Sequence, residues 1–329
     1  MKFKTIDVFK FLFAFCVIAI HVKPEMYSGY AVKLILNQIF DLAVPFFFIA
    51  SGYLLASRFN EDPENNQTII RKHCKKVLFL YLKWEAIYFP LSLYGMLKSD
   101  ETLANTIIDF IRRLIFVGEE YNSWHLWYLL ASVYAFGILI ILAKKPYSKM
   151  ISVLSVLAIV ALIVALYVDA IRNTDQSMLH GLNIISRRVI DNTIISSRVL
   201  LGFVYIPVGM ILFTYSMNIF ASGALFVVFF VLDLFINDIL ISDFLLILYC
   251  ICLFELVIRI RTKLDNTLLL RQMSSSVYFI HMYVWTIIYM AIYHKQTFGL
   301  AIFIEVSIVS LLISYFWHIY QNKRLSKKS

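Results

Sequence analysis

Thr5-Ile-Asp7-Val-Phe-Lys10-Phe-Leu-Phe-Ala-Phe-Cys16-Val-Ile-Ala-Ile-His21-Val22 is the stretch from which the fold is read. A helix rises 1.5 Å per residue, so about 20 mostly apolar residues cross the hydrocarbon of a bilayer. This run meets that length, and nine more follow it: Leu34–Leu55, Val77–Leu97, His125–Ala143, Met150–Val168, Val199–Tyr215, Ile219–Ile236, Ile239–Ile258, Ser274–His294 and Gly299–Tyr320. The short link at Asn237-Asp238 makes Ile219–Ile258 a helical hairpin. The expected fold is all-α, a polytopic membrane bundle of about ten spans in one domain, residues 1–320, with a basic tail, 321–329.

Composition agrees. The 329 residues are 61% hydrophobic and 16% charged, with a mean hydropathy of +0.78. A soluble domain needs more polar residues to cover its surface, so a soluble enzyme, a disordered tail and a disulfide-stapled module are excluded. The net charge of +9 suits loops at an anionic cytoplasmic face better than nucleic acid, and no nucleic-acid partner is expected. Cys16, Cys74, Cys250 and Cys252 show neither metal nor disulfide spacing and read as apolar packers; no metal is expected. Asp7 and Lys10 interrupt the first run, and His21-Val-Lys-Pro24 is no small-residue cleavage site, so the first helix is expected to stay.

Sidedness follows the basic residues. With the N-terminus inside, eighteen Lys and Arg fall on cytoplasmic segments and ten on outer ones. Both termini are then cytoplasmic, as an even number of spans requires, and a multi-pass protein of the cytoplasmic (inner) membrane is expected. Two loops are long. Lys98–Trp124 carries an amphipathic stretch from Leu103 suited to the outer interface, and Asp169–Arg198 is polar.

Ionisable residues inside spans are costly and mark function by default. Lys10 and His21 are eleven residues apart, about 20° past three full turns, and Asp7 lies one turn before Lys10. The three share one face, with His21 about 16 Å further along the axis. The bland alternative is an interfacial Asp7–Lys10 pair and a histidine that merely ends the helix. In the second span, Pro45 frees backbone carbonyls and Ser51-Gly52 permits close helix approach.

These residues resemble a family. Asp7-x-x-Lys10 with His21, then Val44-Pro-Phe-Phe-Phe-Ile-Ala-Ser-Gly-Tyr-Leu54, resembles the start of the acyltransferase-3 family of membrane acyltransferases. Trp124-His-Leu-Trp-Tyr-Leu129, Ser197-Arg198 through Met210, and Ser275-Ser-Val-Tyr-Phe-Ile-His281 are similar to later blocks of that family, in the same order. The resemblance implies that an acyl group, usually acetyl, passes from cytoplasmic acyl-CoA to a hydroxyl of an envelope polysaccharide or lipid-linked glycan. It implies His21 as the catalytic residue, no bound cofactor, and acyl-CoA as co-substrate. The family usually has Arg at Lys10; Lys keeps the charge but loses two-pronged hydrogen bonding. Its basic loop motif has a counterpart in Arg71, Lys72, Lys75 and Lys76, which would suit CoA phosphates, although positive-inside loops carry such clusters anyway.

On this reading the CoA headgroup sits near Lys10 and the Arg71–Lys76 cluster, and its arm runs along the Asp7–Lys10–His21 face. His21 then acts as general base or carries the acyl group itself. Ser51, Tyr53 and Arg198 are candidate oxyanion donors. His125 and Trp127, with Trp124 and Tyr128, are candidates for holding a sugar, although interfacial aromatic belts look the same. His281 reads as a hydrogen-bonded core histidine, and Glu85, Glu255 and Glu305 have no assigned role. A transporter or flippase for a small polar or sugar-containing substrate is the alternative, opposed by the absence of an inverted repeat; an inactive structural partner is a third. No appended soluble domain is visible, so the membrane domain is expected to act directly or with a separate protein. A homo-oligomer is compatible with all of this.

Overall fold

The computed structural model describes residues 3–98, 102–173, 198–264 and 267–326; for 169–173 and 322–326 it describes the backbone only. The described residues are mostly helical, and none is in a strand. In chain order they form α1 (Lys4–Val22), α2 (Tyr30–Asp41), α3 (Ala43–Ala56), α4 (Pro63–Leu97), α5 (Leu103–Arg112), α6 (Trp127–Leu142), α7 (Tyr147–Asn173), α8 (Arg198–Thr214), α9 (Ile219–Leu234), α10 (Ile239–Arg259), α11 (Leu268–Ile288) and α12 (Leu300–Ser326). Seven segments of these helices are long and apolar enough to cross a membrane; α8 and α9 are apolar but shorter. Val77–Leu97 lies on α4, which is not among these segments. The protein is therefore an all-α, multi-pass membrane chain.

Three boundaries differ from the sequence reading. The second span is α2 followed directly by α3, joined at Leu42, which itself keeps helical dihedrals. Pro45 has no N–H to offer the Asp41 carbonyl, which accounts for the interruption inside the span Tyr30–Ala56. The third span is the distal part of α4, a continuous 35-residue helix. Asp62 caps its first turn by accepting from Glu64 N–H, so the basic run expected in a loop is helical. The ninth begins at Leu268, not Ser274, because Thr267 is its N-cap residue. The polar loop Asp169–Arg198, apart from its two ends, and the tail end 327–329 lie outside the described residues.

The chain forms two compact units. One comprises Met1–Phe47, Met217–Asn237 and Phe244–Ser329; the other comprises Phe48–Ser216 and Asp238–Asp243. In the first, α1 packs along α11, and α11 along α12. Its interior holds Ala14, Val17, Ile18, Phe46, Cys250, Phe254, Val277 and Trp285. In the second, α8 packs against both α6 and α7, and α4 against α6. Glycine allows the second unit its closest approach: a Cβ on Gly52 would stand 2.0 Å from the Ile206 carbonyl oxygen, and one on Gly209 would stand 2.0 Å from that of Ile49. The sequence expectation for Ser51-Gly52 therefore holds, with α8 as the partner.

The amphipathic stretch after Lys98 is α5, capped by Thr102. Leu103, Ile107, Ile108 and Ile111 are exposed along it, as a helix lying on a membrane surface requires. Asp109 accepts from Arg112 and Arg113 on its polar side. Burial raises its carboxyl, but those two guanidiniums outweigh it and hold the group below its ordinary range.

Candidate active site

The first unit aligns polar residues on two parallel helices. Asp7, Lys10 and His21 lie on one face of α1, as their spacing requires. On α11 and its cap, Thr267, Arg271, Ser274, Tyr278 and His281 recur at intervals of four and three, which also makes one face. The faces meet in register. Thr267 Oγ1 donates to Asp7 Oδ2 at 2.9 Å, Ser274 Oγ donates to the Lys10 carbonyl at 2.8 Å, and the His21 ring stacks on His281.

At the Asp7 end the carboxylate is buried and takes its hydrogen bond from Thr267. Lys10 is half-buried, with Nζ 5.8 Å from the centre of the Phe47 ring. Asp7 and Arg271 are its charged neighbours. Thr5 Oγ1 donates to the Ile260 carbonyl at 2.5 Å and ties the start of α1 to the segment before α11.

At the other end the two imidazoles are 5.4 Å apart between centroids, inclined by 30°. His281 is fully buried, and its Nδ1 lies 2.7 Å from the Tyr278 carbonyl oxygen. A carbonyl only accepts, so Nδ1 carries the proton and, in the neutral ring, Nε2 carries the lone pair. His21 is half-buried one residue before the end of α1. Its backbone is held from two sides: Lys23, at φ 50°, turns the chain and donates to the Ala19 carbonyl, and Gly299 N–H donates to Val22 O at 2.8 Å. A left-handed residue past the last turn is a common helix stop. Gly299, at φ +111°, takes a conformation that glycine permits.

The second unit holds the remaining sequence candidates. Ser51 Oγ lies 3.0 Å from the Tyr128 hydroxyl. Tyr53 meets Phe213 edge to face at 5.3 Å. Trp127 packs on Phe48 at 5.8 Å, and the buried His125 meets Tyr88 at 5.3 Å. Arg198 pairs with Glu119 at 2.6 Å. Arg71, Lys72, Lys75 and Lys76 are exposed on α4, and their spacing gathers them within an arc of about 140°. The structure thus brings Ser51 to Tyr128 and Trp127 to Phe48, and makes a cationic face of the basic run.

Sequence reasoning missed Thr267, Arg271 and Ser274. It also missed that His281, a hydrogen-bonded core histidine as expected, is the neighbour of His21. The available signal was the four-three repeat on α11, matched to that of Asp7, Lys10, Ala14, Val17 and His21 on α1. The unexplained glutamates have partners. Glu255 pairs with Arg259 at 2.8 Å, and Glu305 accepts from the Tyr293 hydroxyl at 2.8 Å. Glu85 takes a long bond, 3.4 Å, from Ser123 Oγ. Near it Glu120 is buried. Burial pushes its carboxyl up to about 8, with Arg113 opposing and Glu85 and Asp109 adding to the rise. Among the described residues no cluster of three or more His, Cys, Asp or Glu could hold a metal.

Comparison with known proteins gives partial relatives and a full-length family. Two amino-acid racemases of Enterococcus faecalis are 35% identical over 164 and 130 residues, which is 49% and 39% of this chain but 22% and 18% of theirs. A serine/alanine racemase of Enterococcus gallinarum is 31% identical over 129 residues, 38% of this chain and 18% of its own. The matches span about a fifth of the length of these curated relatives. No solved structure matches. The acyltransferase-domain profile of the acyltransferase-3 family covers residues 3–318, and the chain with its paired α1–α11 faces belongs to that family of membrane acyltransferases.

Proposed function

We propose that this acyltransferase moves an acyl group, acetyl in the first instance, from cytoplasmic acyl-CoA to a hydroxyl of an envelope polysaccharide or lipid-linked glycan. It does so as an inner-membrane protein with about ten spans and both termini inside. The observation that carries this is the separation of two polar sites on one helix pair: charge at the Asp7–Lys10 end and two stacked imidazoles at the His21 end. Acyl transfer between compartments needs both, an anchor for the donor headgroup and a base at the thioester.

In the reaction His21 takes the acceptor hydroxyl proton as the oxygen attacks the thioester carbonyl. The tetrahedral intermediate collapses, the carbon–sulfur bond breaks, and the proton passes to the departing thiolate. Alternatively His21 first takes the acyl group, releasing CoA, and then gives it to the hydroxyl. His281 is held by the Tyr278 carbonyl and fixes the ring plane against which His21 rests. Arg71, Lys72, Lys75 and Lys76 are a second set of cations suited to the donor phosphates. Ser51, Tyr53 and Arg198 remain oxyanion candidates, and His125 and Trp127 acceptor candidates.

Acetyl-CoA labelled in the acetyl group, supplied with crude envelope glycan to protein in nanodiscs, tests the reading. CoA release is expected in the intact chain and lost in His21→Ala at matched folding. CoA release that continues unchanged in His21→Ala refutes the assignment. A second reading, transport of a small polar substrate along the same faces, draws on the relatives, whose names make them racemases of amino acids. Uptake of labelled serine or alanine into proteoliposomes without CoA release would favour it.

A further inference from the structure

We infer that Arg271, the first-turn arginine of α11, binds the phosphate groups of the acyl-CoA donor together with Lys10. This rests on the donor reading above and deepens it.

The inference starts from charge. Lys10 and Arg271 are basic residues on facing helices, close enough to act on one another. The Asp7 carboxylate, one turn from Lys10, already accepts from Thr267. Like charges held together raise the energy of the folded chain unless an anion joins them. The register fixes the arrangement independently. Thr267 is bonded to Asp7 and Ser274 to the Lys10 carbonyl, so Arg271, one turn from each, stands on the α11 face that meets α1.

Exposure divides the labour. Lys10 is half-buried, with Nζ over the Phe47 ring, while Arg271 is exposed. An anion arriving from the aqueous side meets the arginine first. A lysine ammonium is a point charge, whereas a guanidinium grips phosphate with two parallel N–H bonds. Arg271 therefore supplies the two-pronged contact that Lys10 cannot. A pyrophosphate seated there lies at the end of the helix pair that carries His21 and His281 farther along. A lipid phosphate in the same leaflet offers similar chemistry, so the test must separate the two.

The probes are CoA itself and pantetheine, which has the same arm without phosphates. Binding of each is measured by equilibrium dialysis to the full chain in phosphatidylcholine nanodiscs and again with phosphatidylglycerol added. Arg271→Gln is expected to weaken CoA about ten- to a hundredfold, the range of a charge-assisted contact, and to leave pantetheine unchanged. Arg271→Lys is expected to recover only part of the loss. CoA affinity equal to that of the intact chain in Arg271→Gln overturns the inference, as does an equal loss for CoA and pantetheine. If Arg271→Gln alters only stability in phosphatidylglycerol discs, the arginine is a lipid anchor and the inference is again wrong. Failure of the intact chain to bind CoA at all refutes the donor reading itself and removes the basis for this one.

Discussion

The approach of α3 to α8 permits a prediction with an unusual sign. A Cβ on Gly52 would stand 2.0 Å from the Ile206 oxygen, whereas carbon–oxygen contacts settle near 3.3 Å. The helices must part by about 1.3 Å, and no rotamer can relieve the clash because the backbone fixes the Cβ position and the oxygen belongs to backbone. A gap of about 1 Å already forfeits up to roughly half of each dispersion contact across it. Ile49 and Ile206 are fully buried there. Overpacking costs about 1–3 kcal/mol, and a backbone clash belongs at the top, about 3 kcal/mol. Alanine returns about 1 kcal/mol through helix propensity. Gly52→Ala should therefore destabilise by about 2 kcal/mol, and so should Gly209→Ala, whose Cβ meets Ile49 O at 2.0 Å. The double variant needs the same separation only once, so its cost should stay near about 2 kcal/mol, not the roughly 4 kcal/mol of additive sites. Gly137 has no atom within 4 Å of its Cβ position, and Gly137→Ala should gain up to about 1 kcal/mol. Equilibrium unfolding in mixed detergent micelles reads all four. Single variants as stable as the intact chain, or a double that sums the singles, would refute the argument.

Other consequences follow from single residues. Below pH 4.5 both folded and unfolded states protonate Glu120; from there to about 8 the unfolded chain releases a proton that the folded one retains. The Glu120 contribution thus falls as pH rises through that window, and Glu120→Gln should flatten the decline, measured as unfolding midpoints from pH 5 to 8. Thr267→Val leaves buried Asp7 without its donor and should cost about 1–3 kcal/mol, while Thr267→Ser should recover most of it in the same unfolding assay. His294 sits at φ 54°, where a side chain costs energy that glycine avoids; His294→Gly should hold or raise the melting temperature, and a fall of several degrees would contradict that reading.

The periodicity of α1 was enough to place Asp7, Lys10 and His21 on one face, because residues within a helix are related by local geometry alone. Run lengths likewise determined an all-α membrane chain, since uninterrupted apolar segments in a bilayer must satisfy their own backbone. Even the small residue at Gly52 announced a close approach. What the sequence could not supply was the partner of each face. Between lipid-immersed helices there is little hydrophobic preference to choose a neighbour; shape and interhelical hydrogen bonds choose it. That choice brings Thr267 to Asp7 across 260 residues and His281 to His21, and seats Gly52 on Ile206. The helical state of the Arg71–Lys76 run was a local matter as well, because the Asp62 cap starts α4 well before its apolar part. The chemistry-bearing residue types were legible one helix at a time; their pairing became so only once packing had selected which helices touch.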